Sequence, residues 1–165
     1  MVQAKSAESE TVLTPWGVPG RLRYRLRIEE QTPSLNEIRE MHFHAYRRLR
    51  FRFRNRVLEA LESKRPEAPL PCALVEVRRY CAGSLDWDNA LGGLKPLLDC
   101  LVEPTKRNPD GLSLIRDDSP RSMPLPPFMW QLPASRGKGW TEVFIYELDP
   151  SDVPTVEREP ELIAA

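Results

Sequence analysis

The sequence predicts an α+β fold, a single mixed β-sheet with two covering helices, on three observations. "RLRYRLRI", residues 21–28, alternates strictly between apolar and cationic residues, the period of a half-buried strand. From about 37 to 64 the apolar positions Ile38, Met41, Ala45, Leu49, Phe53, Val57, Ala60 and Leu61 follow helical spacing. Two further β-rich runs, "CALVEVRRY" and "WTEVFIYEL", lie downstream. A chain of 165 residues suits one domain around one core.

The elements follow in order. Residues 1–20 contain no apolar segment after Lys5 that would read as a secretory signal, so a flexible arm is expected there. The strand at 21–28 places Leu22, Tyr24, Leu26 and Ile28 on one face and four arginines on the other. "QTPSLNE" is a turn in which Ser34, with Glu37 three residues on, forms a capping box for the long helix. Pro66, Pro69 and Pro71 end that helix, and "CALVEVRRY" follows as a central strand. Asn89 or Asp88 caps a second helix that Gly92, Gly93 and Pro96 weaken; a restart near Lys95 would put Pro96 in the first turn, where proline is tolerated. "EPTKRNPDG" reads as a loop, "LSLIR" as a short strand, "DDSP" as a turn, and 124–133, "PLPPFMWQLP", as a proline-rich loop. "WTEVFIYEL" closes the sheet, giving the order β-α-β-α-β-β over a domain of 21–149, and 150–165 forms an acidic tail.

Composition narrows the function classes. Hydrophobic residues make up 41% of the chain, and no apolar run approaches the ~20 residues needed to cross a bilayer, so no membrane role is expected. Cys72, Cys81 and Cys100 are odd in number and lack C-x-x-C spacing, which points to a reducing cytoplasm rather than a disulfide framework or a zinc site. His42 and His44 are two apart on the predicted helix, which disfavours joint metal ligation. Formal net charge is zero, yet residues 21–65 hold thirteen basic residues against six acidic ones, while from 141 onward seven acids face Arg158 alone. "AYRRLRFRFRNR" has no acid among its arginines, so phosphate is the expected counter-charge. Arg21, Arg23, Arg25 and Arg27 on the strand, Arg47, Arg48, Arg50, Arg52 and Arg54 on the helix, and Arg78 and Arg79 are the candidate nucleic-acid contacts.

The chemistry-bearing motif is "SLDWDNALGGLKPLLDC", residues 84–100. In an extended segment Asp86 and Asp88 would leave the backbone on one side and Trp87 on the other, into the core. Two clustered carboxylates suit a hard divalent cation, Mg²⁺ or Mn²⁺, and Asp117 or Asp118 at the end of "LSLIR" could supply the third ligand. The plain alternative is a helix cap with a solvated neighbour and an ordinary turn, with Lys95 merely snorkelling from its helix.

D-x-D-N, then a lysine with an aspartate four residues after it, then a strand ending in D-D, resembles the RusA family of Holliday-junction resolvases, common in phages and prophages. The elements here are Asp86, Asp88, Asn89, Lys95, Asp99, Asp117 and Asp118; "TPSLNEIR" and "TEVFIYEL" also resemble that family's early turn and final strand. The resemblance implies a Mg²⁺ site of Asp86, Asp88 and Asp118, with Lys95 essential to cutting. It further implies a symmetric homodimer acting on branched DNA, with no small-molecule cofactor. The chain departs from the pattern in three places. Asp88 to Lys95 spans seven residues where four is usual, as though three were inserted around Gly92 and Gly93. Pro120 stands where a glutamine often follows D-D, and the basic cluster before D-x-D-N is reduced to Arg78 and Arg79. A less selective flap nuclease and an inactive phage DNA-binding accessory protein are the alternative expectations.

Overall fold

The computed structural model describes residues 10–154. Its strands are β1 (Thr11–Leu13), β2 (Pro19–Ile28), β3 (Ala73–Cys81), β4 (Phe128–Pro133) and β5 (Trp140–Glu147). Its helices are α1 (Leu35–Glu40), α2 (Phe43–Ala60), α3 (Trp87–Gly92) and α4 (Lys95–Leu101), and a 3₁₀ turn spans Pro150–Asp152. One sheet runs in the order β1-β2-β5-β3-β4. Its pairings are antiparallel except β3 with β4, so the sheet is mixed and the fold is α+β.

Each predicted helical segment is interrupted once, so four helices stand where two were expected. Met41 and His42 both take extended backbone, and His42 becomes the N-cap of α2, its ring accepting from the His44 amide. The two imidazoles stack at 5.3 Å. The capping box of Ser34 and Glu37 forms as predicted and opens α1. The second break falls at Gly93, and α4 restarts at Lys95 with Pro96 in its first turn.

Three strand expectations change. "LSLIR" is not a strand: Ser113 has φ 61°, and the amides of Leu112, Leu114 and Ile115 go to the Cys100 and Leu101 carbonyls that end α4. Only a single bridge, Leu70 to Ile115, remains. Residues 128–133, expected as loop, form β4, where proline is tolerated because the strand is an edge and Pro133 is its last residue. β5 is the last strand of the chain, as expected, and takes the central place between β2 and β3. Residues 11–20 of the expected flexible arm form β1 and the start of β2, joined by a turn with Gly17 at φ 77°. Residues 1–9 and most of the expected acidic tail lie outside the described residues.

The main core lies between the sheet and the helices α2, α3 and α4. It packs Leu26, Ile28, Val75, Val77, Val143 and Ile145 against Leu49, Phe53, Val57, Ala90, Leu97 and Leu101. A register shift between Leu22 and Tyr24 breaks the simple alternation of β2, so Leu22 turns to the other face of the sheet. There it joins a smaller cluster with Cys72, Leu74, Phe144 and Tyr146, backed by Leu125 and Val153.

Candidate acidic site and basic surfaces

The turn Thr32–Ser34 docks against the joint between α3 and α4, and the two glycines at that joint make the approach possible. A Cβ on Gly93 would stand 1.8 Å from the Pro33 carbonyl oxygen, and one on Gly92 would meet Leu35 at 2.8 Å. The residues that disturb the expected lysine spacing therefore serve a backbone contact that sets where α4 begins. From that first turn Lys95 reaches two carboxylates: its Nζ lies 2.8 Å from Asp99 Oδ1 and 2.8 Å from Asp118 Oδ2.

Asp99 is buried and held from behind. The Tyr46 hydroxyl donates to Asp99 Oδ2 at 3.0 Å, the Arg50 guanidinium stands 3.9 Å from the same oxygen, and Arg50 Nε donates to Asp110 at 2.9 Å. Burial lowers the affinity of Lys95 for its proton, but its hydrogen bonds to Asp118 and Asp99 outweigh that and hold its pKa above the ordinary lysine value. Burial and the charge of Asp99 push the Tyr46 phenol well up, and burial with the same charge pushes the Cys100 thiol up to about 12, so that thiol is no nucleophile at neutral pH. Within the D-D pair the duties separate. Ser119 donates its amide and hydroxyl to Asp117, holding that carboxyl below the usual range and fixing the turn, while Asp118 faces Lys95.

Asp86 occupies the N-cap position of α3 without a side-chain cap bond, and Asp88 sits in the first turn. Both are exposed, and among the described residues no hydrogen bond or ion pair engages either carboxylate. The expected extended geometry is corrected here: the segment is helical from Trp87, so the two side chains do not leave one side of a strand. Trp87 is 59% exposed instead of buried in the core. The Gln131 side chain accepts from the Leu85 amide at 2.7 Å and donates to the Leu85 carbonyl at 2.8 Å, pinning this loop to β4. The proline-rich composition of 124–133 conceals Gln131, and Tyr46 carries no motif that sets it apart from the rest of its helix.

Among the described residues no three Asp, Glu, His or Cys side chains gather closely enough to hold a metal ion. The donor chemistry of Asp86, Asp88 and Asp118 suits Mg²⁺, but their placement does not form the expected three-carboxylate site. Asp118 and Asp99 draw their positive charge from Lys95.

The eleven candidate arginines divide by depth and partner. Arg79 is buried, donating from Nε to the Thr32 carbonyl at 3.0 Å and from NH2 to Gln31 at 3.2 Å, so it ties the docking turn to β3 and is not a surface contact. Arg50 belongs to the network behind Asp99. Arg23, Arg25, Arg27, Arg52 and Arg78 pair with Glu147, Glu142, Glu29, Glu30 and Glu76. The phosphate counter-charge expected for the helix arginines is thus corrected for Arg50 and Arg52, whose acids come from distant segments rather than from the same helix. Arg21, Arg47, Arg48 and Arg54 pair with no carboxylate among the described residues.

Compared with protein-family models, curated proteins and solved structures, the chain matches none of them. Among the described residues no helix is long and apolar enough to cross a membrane.

Proposed function

We propose that this chain is a Mg²⁺-dependent, structure-selective endodeoxyribonuclease that resolves four-way DNA junctions, acting as a homodimer in the cytoplasm of a phage-bearing cell. The observation that carries the reading is the double engagement of Lys95. Asp118 comes from a turn 23 residues downstream and Asp99 from the next turn of α4, and both meet one ammonium just after the helix that Asp86 opens. Lys95, Asp99 and Asp118 are three of the residues the RusA resemblance singles out, and they are joined by hydrogen bonds, whereas Asp86 and Asp88 stand outside that network. A lysine kept charged beside a scissile phosphate stabilises the charge that builds during hydrolysis. Of the three carboxylates named for the metal, Asp86 and Asp88 have no partner among the described residues and Asp118 pairs with Lys95, so the metal requirement is a separate outcome of the cleavage assay. Arg47, Arg48 and Arg54 on α2, beside the exposed Phe43 and Phe51, give duplex arms a phosphate-binding surface. Three buried, unpaired cysteines support a reducing compartment.

A second reading, a DNA-binding accessory protein without cleavage, is favoured by the absence of three grouped carboxylates among the described residues. The test incubates the full chain with synthetic four-way junctions, flaps and linear duplex, with Mg²⁺, with Mn²⁺ and with neither. Paired cuts in junctions are expected with metal, and Lys95→Ala lowers the rate by ~10²-fold. Asp118→Asn is expected to bind the junction and not cut it. Junction binding with no cutting under any metal would discard the enzyme in favour of the accessory protein, and equal cutting of flaps would replace junction selectivity with a broader nuclease.

A further inference from the structure

α2, α3 and α4 pack on one face of the sheet; among the described residues the other face is covered toward one end by Leu125 and Val153, and Trp16 packs edge-on against Phe128. Its open part is an ordered lattice of arginine, aromatic and glutamate side chains. Strand register places Arg27, Glu142, Arg78 and Trp130 in one row across β2, β5, β3 and β4, and Arg25, Phe144, Glu76 and Phe128 in the next.

Depth separates the charges. The side chains of Glu142 and Glu76 are 13% and 1% exposed, whereas those of Arg25, Arg27 and Arg78 are 66%, 47% and 36% exposed. Glu76 is fixed by donors from Tyr146 at 2.8 Å, Trp130 at 3.0 Å and Arg78 at 2.8 Å. The guanidinium groups of Arg25 and Arg78 both lie over the Phe144 ring, at 5.3 and 4.3 Å, and that of Arg27 lies over Trp140 at 4.6 Å. Trp140 in turn stacks on Tyr80 at 4.2 Å. Solvent therefore meets these guanidinium groups and the exposed indole of Trp130, with Glu142 and Glu76 sunk beneath and the exposed Glu29 paired with Arg27.

We propose that this helix-free face binds single-stranded nucleic acid, its bases stacking on Trp130 and on the arginine planes while the same arginines neutralise phosphates. Stacking surfaces of this kind accept unpaired bases, and a duplex hides its bases from them. A second copy of the chain fits poorly, because a two-fold contact would set these arginines against one another, and the cores of protein interfaces are poor in charge. The helix layer and its Lys95 lie across the sheet, so this face is separate from the cleavage proposal and does not depend on it.

The test titrates the full chain into fluorescein-labelled oligo-dT of ~20 nucleotides and into a duplex of equal length, in EDTA so that no cutting occurs, with anisotropy and tryptophan fluorescence as readouts. The single strand is expected to bind more tightly than the duplex and to quench tryptophan. The exposed double variant Arg25→Glu/Arg27→Glu is expected to weaken it by at least about tenfold and Trp130→Leu by about tenfold, while Glu67→Gln, an exposed position outside both sites, leaves it unchanged. Circular dichroism confirms that each variant is folded. Equal affinity for duplex, or unchanged binding by the folded double variant, overturns the proposal. So does a sedimenting dimer that the double variant dissolves, which would assign the face to a second copy.

Discussion

Two buried carboxylates, one on each side of the sheet, use the same device to different ends. Glu76 on the helix-free side and Asp99 on the helix side each accept a tyrosine hydroxyl, from Tyr146 and Tyr46, and each fixes a cation that points toward solvent. Glu76 is the more deeply sunk and is further tied to an indole N–H, so its arginine joins a broad platform of stacked side chains. Asp99 shares its lysine with a second acid, Asp118, so that cation marks one point rather than a surface. A buried anion thus settles where a cation sits, and what stands beside the cation settles whether the result is a face or a site.

The comparison breaks most visibly at Glu76. Glu76→Ala leaves three buried or half-buried donors without their acceptor and is expected to cost about 3–5 kcal/mol in urea unfolding, with Glu76→Gln milder. A loss under about 1 kcal/mol would mean that water replaces the carboxylate and the platform is not held from below. Next comes Gly93→Ala, whose methyl meets the Pro33 carbonyl; about 3 kcal/mol is expected, while Gly83→Ala, which points into open space, changes little. Asp99→Asn keeps an acceptor for Tyr46 and removes the charge facing Lys95, for an expected loss of about 1.5 kcal/mol and slower junction cutting. If it proves as costly as Glu76→Ala, the two sides are equally dependent on their anions.

The smallest expected effect is with pH. Lys95 has a folded pKa above its ordinary 10.5, so its contribution is full below that value and fades as pH rises through the folded one. Wild type should therefore lose more stability than Lys95→Met on moving to strongly alkaline pH. Parallel curves would show that the ammonium contributes nothing to folding.

Local signals carried much of the fold. The alternation of β2 from Tyr24 onward, the apolar periods of α2, the capping box at Ser34 and the proline at the start of α4 all act within a few residues, although the box opens the short α1 and not the long helix, and Leu22 leaves the expected face. β4 did not announce itself, because a parallel edge strand takes its hydrogen bonds from β3, some fifty residues away, and Pro133 with the prolines just before the strand argues against it locally. His42 looked like one more helical position, and nothing in its neighbourhood signals that the chain turns extended there. The candidate site is legible as a set of residue types, because Lys95, Asp99 and Asp118 all fall within one sequence pattern. Its supporting groups, Tyr46 and Gln131, are not, since their partners lie far along the chain.

The sequence by itself determined the element types in the strongly periodic stretches and the residues able to do chemistry, because periodicity and side-chain chemistry are properties of the local chain. Only the tertiary structure decided the strand order, which arginines are buried, paired or open, and that Lys95 sits between two acids. Those outcomes depend on which distant backbones share hydrogen bonds and on which carboxylates end beneath the surface, and no short stretch of sequence contains that information.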